Sequence, residues 1–248
     1  MKYLAGMLAG SRAKMDGNPK LGYIATYPSP EESRLGNAFA FALGVAEICP
    51  DCTIDVLLIS TWDDPVVEKE AAISLFDAGA SVVITDADSP IPAEVAPEGR
   101  WGITYNYSEN CIVETCLTSV YWNWGPVYGR IIEESIEGIW RGGSEYFDAD
   151  TGAMGLFGFM DGETMQPGTA ELPEEDLSLI EDTLAKMLVG EFDRFDVFSG
   201  PLTDNQGNEI LAEGETLEQI DLVGFAQSGS ECEIGMYWWN ENITTELP

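Results

Sequence analysis

The chain has 248 residues, with 44 acidic side chains, 11 basic ones and no histidine, a formal net charge of −33. That balance excludes a nucleic-acid binder working by counterion release and a polybasic membrane-surface protein, and the missing histidine excludes Ser-His-Asp, Cys-His and His-ligated metal chemistry within the chain. A hydrophobic content of 45% still demands a folded core, so the charge reads as a solvation device suited to a saline setting or, more sharply, as an acidic patch for a cationic partner.

In chain order, Met1 to Gly10 is apolar and carries Lys2, a superficial likeness to a signal peptide, but no Ala-x-Ala pattern follows. We read it as a helix that packs through its small residues, with no export signal. No apolar run reaches the ~18–20 residues of a membrane span. Leu21–Ala25 is a short apolar strand ended by Tyr27-Pro28-Ser29-Pro30, and Glu31–Ile48 reads as a helix with acids in its first turn. Ile54–Ile59 is a buried strand. Asp64 with Pro65 then opens a helix that runs to about Asp77. Ser81–Thr85 and Trp101–Tyr105 are the third and fourth strands.

Strand–helix alternation at this spacing predicts an α/β fold, a parallel sheet with right-handed crossovers and helices on both faces. Ligands of such sheets sit at the carboxyl ends of the strands. Those ends carry Tyr27, Trp62 with Asp63, Asp88, and Asn106 to Glu109. The plainer reading is that these residues cap helices and start turns, as Asp64 does. Four such ends in succession favour a small-molecule site.

The second half is less regular. Leu117–Tyr121 is strand-like, Trp124–Trp140 an amphipathic helix, Gly155–Phe159 a strand, and Glu174–Val189 a helix stopped by Gly190; Asn205-Gln206-Gly207 is a hairpin turn. Residues 1–115 form an α/β lobe, and 116–248 supply a crossover strand, helices and hairpin segments packing on it.

Of the five cysteines, Cys49 and Cys52 form a CxxC, and Cys111 stands five before Cys116. Local disulfides, a Cys-only zinc site and plain thiols all remain open. The CxxC closes a helix where a redox motif would open one, which demotes thioredoxin-like chemistry. Cys232 has no assigned role.

No dinucleotide fingerprint, phosphate-binding loop, nucleophile elbow or His-based metal motif is present, so no cofactor and no metal is expected, although Asp86-x-Asp88 could hold a hard cation through its oxygens. The pairs Asp63/Asp64 and Asp86/Asp88 could serve a carboxylate hydrolase, but among 44 acids adjacent pairs arise by chance. Nothing positions a nucleophile, and the chain does not read as an enzyme.

Several segments, in order, resemble the basic membrane protein family of ABC-transporter solute-binding proteins, the group that includes the purine-nucleoside receptor lipoproteins. They are Tyr3-Leu4-Ala5-Gly6, Leu21–Ala25 ahead of Pro28 and Pro30, Asn37-Ala38-Phe39, Trp62-Asp63-Asp64-Pro65, Asp77-Ala78-Gly79-Ala80, Asp88-Ser89-Pro90, Leu117-Thr118-Ser119-Val120, Asn123-Trp124-Gly125-Pro126 and Phe198-Ser199-Gly200-Pro201.

The resemblance implies a type I periplasmic-binding-protein fold of two α/β lobes closing on a purine or nucleoside. The partner would be a transporter permease, the location periplasmic or extracellular at a membrane, with no reaction catalysed. Family members are longer, so the chain reads as the second lobe, with partial hinge and return segments, of a truncated copy. An N-terminal lobe or a second copy would supply the rest. By position, Asn106 stands where nucleoside-binding relatives place an acid, Trp122 where they have a lysine, and Glu109 where an aspartate is expected. A flat base stacked on Trp62 or Trp122, with Asp88 and Asn106 as hydrogen-bond partners, fits better than a nucleoside; Trp122 and Trp124 could instead be core residues of the following helix. The alternatives are a ligand-sensing module not linked to transport and the carboxylate hydrolase.

Overall fold

The computed structural model describes residues 1–27, 36–143, 145–219, 222 and 238–247. Its centre is a seven-stranded sheet in the order β6-β5-β4-β3-β1-β2-β9. The strands are β1 (Lys20–Ala25), β2 (Thr53–Leu58), β3 (Val82–Thr85), β4 (Trp101–Asn106), β5 (Cys116–Trp122), β6 (Met154–Leu156) and β9 (Ile243–Leu247). All are parallel except β6, which runs antiparallel to β5. A small hairpin, β7 (Leu202–Thr203) with β8 (Glu209–Leu211), stands apart from this sheet.

The strands are apolar on both sides because both faces are covered. On one face α1 (Lys2–Met15), α2 (Gly36–Ile48) and α6 (Glu174–Leu188) pack with Leu21, Tyr23, Val82, Ile84 and Ile103. On the other, α3 (Pro65–Asp77) and the short α4 (Ile91–Glu94) pack with Ile24 and Val83. Helix α3 begins as the sequence dictates: the Asp64 carboxylate accepts from the amides of Val66 and Val67, with Pro65 at the first helical position. The small residues of α1 bring it against α2: a Cβ on Gly6 would fall 2.1 Å from the Phe41 carbonyl oxygen, and one on Gly44 1.9 Å from that of Tyr3.

The structure departs from the sequence reading at the end of one strand, at the end of one helix and in one further strand, and one expected helix start lies outside the described residues. The start expected at Glu31 lies outside the described residues, so α2 is seen only from Gly36. The strand expected over Gly155–Phe159 ends at Leu156, before Gly158 turns the chain with φ +93°. Helix α5 (Trp124–Glu137) stops short of Trp140 because Gly138 adopts the left-handed conformation and caps it. Strand β9, not foreseen, adds to β2 and fixes it through the Thr244 hydroxyl, which donates to Asp55 at 3.0 Å.

Cys49 is bonded to Cys52 and Cys111 to Cys116, so the first of the three cysteine readings holds and these four thiols are not free to ligate zinc. Cys232 lies outside the described residues.

Helix α5 is unusual in facing its apolar side outward. Ile136 is 81% exposed and Trp124 43%, Tyr128 and Ile132 are also exposed, and only Val127 is buried. Trp124 is therefore not a core residue. Among the described residues no other helix or strand packs broadly on α5.

Candidate functional site

The chain leaves β1 for β2 on one side and then builds β3, β4 and β5 on the other, so the strand order reverses between β1 and β3. At such a switch point the connections diverge and leave a crevice at the carboxyl ends. Tyr27 follows β1 there, Trp62 and Asp63 follow β2, Asp88 follows β3, Asn106 ends β4 and Trp122 ends β5.

These residues form two groups. Tyr27 and Trp62 place their rings 5.4 Å apart at 47°. Trp62 is 40% exposed. Beside them, Asn106 and Asp63 both act on the Asp88 carboxyl, the first through its polar side chain and the second through its charge. Asn106 holds φ +75°, a left-handed conformation that asparagine tolerates better than most residues. Partial burial pushes the Asp88 carboxyl up, the Asn106 side chain opposes this, and the Asp63 charge adds to it.

Glu109 and Trp122 lie on the β4–β5 flank. Glu109 sits in the short turn Ser108–Asn110, exposed, accepting from the Ser108 hydroxyl at 3.0 Å, and its charge is felt at Tyr121. The Trp122 indole N–H donates to the Tyr105 hydroxyl at 2.9 Å, and its ring stacks on Trp124 at 5.2 Å and 20°. Trp122 also lines a cavity of about 660 Å³ beside the start of α1, with Tyr105, Tyr121, Tyr146 and Phe192. The other six residues expected at the site do not line it.

Beneath the strand ends is a charge cluster that the sequence reading missed. The Lys2 ammonium lies 2.7 Å from Asp86 Oδ1, donates to the Thr85 carbonyl at 3.0 Å, and sits 4.3 Å from the Tyr105 ring centroid. The Tyr23 hydroxyl donates to the same Asp86 oxygen at 2.7 Å. Lys2, Tyr23 and Asp86 are all buried, and Asp86 Oδ2 has no hydrogen-bond partner. Burial lowers the Lys2 pKa and raises that of Asp86, each opposed by the attraction between them. One signal was available: in a chain with so few cations, a lysine opening an apolar helix asks for a partner.

Glu68 of α3 is also close by and only 2% exposed. Its Oε1 accepts from the hydroxyls of Thr85 at 2.9 Å and Ser89 at 2.7 Å. Burial raises its pKa, and the Asp88 and Asp63 charges add to this against those two hydrogen bonds. A carboxyl with a raised folded-state pKa loses stability as pH rises above its unfolded value of ~4.3. Glu68→Gln, which keeps an oxygen for both hydroxyls, is therefore expected to raise the melting temperature at pH 7.5 and to leave it unchanged near pH 4. A pH series of thermal melts on both proteins reads this; an equal effect at both pH values would refute the ionisation argument.

Among the described residues no group of three or more Cys, Asp or Glu could hold a metal ion. The arrangement offers aromatic faces, a carboxylate and an amide to a small solute, and no nucleophile with a base to activate it.

A family model described as ABC transporter substrate-binding protein, PnrA-like, matches residues 1–186. The chain belongs to this Bmp family. Among its relatives, TsgA13 of Haloferax volcanii, a proposed ABC transporter glucose-binding protein, is 29% identical over 212 residues, which is 85% of this chain and 50% of that one. A purine-binding protein of Brucella abortus is 29% identical over 226 residues, 90% of this chain and 59% of that one. The transcriptional activator protein Med of Bacillus subtilis is 27% identical over 179 residues, 69% and 54%.

Two solved structures share the fold. A Conexibacter woesei ABC transporter solute-binding protein aligns with a TM-score of 0.56 at 19% identity, covering 77% of this chain and 61% of its own. A transcriptional activator of the comK gene from Bacillus halodurans aligns at 0.59 and 20%, covering 75% and 62%. This Bmp-family chain thus spans half to three-fifths of the length of the relatives it matches.

Proposed function

We propose that this chain is the solute-binding part of an ABC importer acting outside the cytoplasm, taking up a purine base or similar planar solute without catalysis. The observation that carries the reading is the switch-point crevice, where the Tyr27–Trp62 pair stands beside Asp88 and Asn106. An aromatic pair offers stacking, and a carboxylate with an amide matches the alternating donors and acceptors of a purine edge. A nucleoside fits less well, because Asn106 cannot offer the ribose a charged acceptor. The Brucella relative's name supports a purine, and the two disulfides suit an oxidising compartment. A permease would be the transport partner. No described helix is long and apolar enough to cross a membrane.

Affinity comes from enclosing a solute on both sides. We assign the other side to a further lobe, corresponding to the length of the relatives that this chain does not match. The outward apolar face of α5 supports such a cover, since helical spacing puts Ile132 and Ile136 on the side opposite Arg130 and Glu134.

A thermal-shift panel of purines, nucleosides, glucose and amino acids, at low and high salt, tests the reading. A solute at a hundred times its Kd adds about 2.7 kcal/mol, a rise of about 5–11 °C for a chain of this size. Adenine is expected to give such a rise, and Trp62→Ala to abolish it. A rise with glucose alone would replace the solute class, and no rise with any compound would mean that this chain has no working site by itself.

A sensor not linked to transport is the second reading, favoured by the two relatives named as transcriptional activators. The net charge of −33 gives this chain no means of gripping DNA itself.

A further inference from the structure

We infer that Tyr105 is a positioning residue that aims the Trp122 indole, at the carboxyl end of β5, at the solute; this rests on the planar solute proposed above and takes Trp122 as a further stacking face for it. Tyr105 pairs with Val120 in the β4–β5 register, so Trp122, two residues on, projects from the same face as a diagonal neighbour of Tyr105. An indole has one polar group, a donor. Here it is spent on the Tyr105 hydroxyl at 2.9 Å.

Tyr105 is held in turn. The Lys2 ammonium sits 4.3 Å from its ring centroid, and Lys2 cannot wander, being tied to Asp86 at 2.7 Å and to the Thr85 carbonyl at 3.0 Å. The same aspartate oxygen, Oδ1, also accepts from the Tyr23 hydroxyl at 2.7 Å. The order thus runs from a buried ion pair to a ring, from the ring to a hydroxyl, and from the hydroxyl to the indole edge.

Stacking fixes the plane from a second direction. Trp124 covers one indole face at 5.2 Å and 20°, and Tyr128 backs Trp124 at 5.8 Å and 16°. Edge held by Tyr105 and one face held by Trp124, the indole is left with a single face of set orientation for a planar solute. A preorganised face costs less ordering on binding than a free one. Neither Tyr105 nor the Lys2–Asp86 pair needs to touch the solute for this to work.

The test compares Tyr105→Phe, which keeps the ring over Lys2 and deletes only the acceptor, with Trp122→Phe and the double variant. The first readout is the ¹⁵N–¹H signal of the Trp122 indole, assigned by its loss in Trp122→Phe. Tyr105→Phe is expected to move that signal and speed its exchange with water. The second is adenine titration, where Tyr105→Phe should weaken binding about three- to tenfold, the worth of one neutral hydrogen bond. That loss should vanish in the Trp122→Phe background, which a merely structural role of Tyr105 would not produce. An unmoved indole signal overturns the inference, as does an unchanged adenine affinity alongside a moved signal. Should the wild type bind no purine, the proposed solute fails, while the indole signal still decides whether Tyr105 sets Trp122.

Discussion

Replacing Gly44 by alanine is expected to destabilise the fold by about 3 kcal/mol, at the upper end of overpacking costs, and so to lower the melting temperature by about 6–12 °C. The added Cβ would lie 1.9 Å from the Tyr3 carbonyl oxygen and 3.1 Å from the Met7 amide nitrogen. Both are backbone atoms, so no rotamer change relieves the clash and α1 must move away from α2. That movement loosens Leu4, Met7, Leu8, Phe41 and Val45, all fully buried in the larger core. Alanine's better helix propensity returns only about 1 kcal/mol. Gly129 in α5 is the control, since a Cβ there meets nothing within 4 Å. Gly129→Ala should be neutral or stabilising by up to about 1 kcal/mol. Thermal and denaturant melts of the two variants read the contrast, and equal effects would mean that the α1–α2 spacing is not set by glycine.

The close packing of α1 was legible because Ala5, Gly6, Ala9 and Gly10 leave little else for an apolar helix to do. Strands β1 to β4 were legible for a related reason: buried on both faces, they read as short unbroken apolar runs. Helix α3 was legible to the residue because Asp64 and Pro65 carry a local capping signal. Strand β9 was not, since Ile243-Thr244-Thr245-Glu246-Leu247 is mostly polar and pairs with a strand far away in sequence. The end of α5 was misplaced because Ile139 continues the apolar spacing while Gly138 takes the left-handed turn.

In the candidate site, the loops that carry Tyr27, Trp62, Asp88 and Asn106 followed from alternation plus the rule that ligands sit at strand ends. What holds those ends in place did not. Lys2 and Asp86 are 84 residues apart, and no local pattern announces that the first turn of α1 lies over the end of β3. Tyr105 gave no separate signal either, because as a strand residue it looked like core.

That buried pair supports the second large effect. Lys2→Met should cost about 3–5 kcal/mol, the usual penalty for stranding one member of a buried ion pair, with melts at pH 7.5 as the measurement. Methionine fills much of the lysine's space, so lost packing is the smaller part. The larger part is the Asp86 carboxylate, which keeps only the Tyr23 hydroxyl on Oδ1 and nothing on Oδ2. Burial already raises its pKa, and removing Lys2 removes the main influence opposing that rise. With the folded pKa above the unfolded ~3.9, the variant gains protons on folding and loses stability as pH climbs through that window. Its deficit against wild type should therefore shrink towards pH 4. Lys2→Met combined with Asp86→Asn leaves no charge to strand and should recover most of the loss, because a buried pair is often near neutral against an uncharged replacement. A deficit that stays constant with pH, or survives in the double variant, would put the cost in packing around Tyr105 and not in the carboxylate.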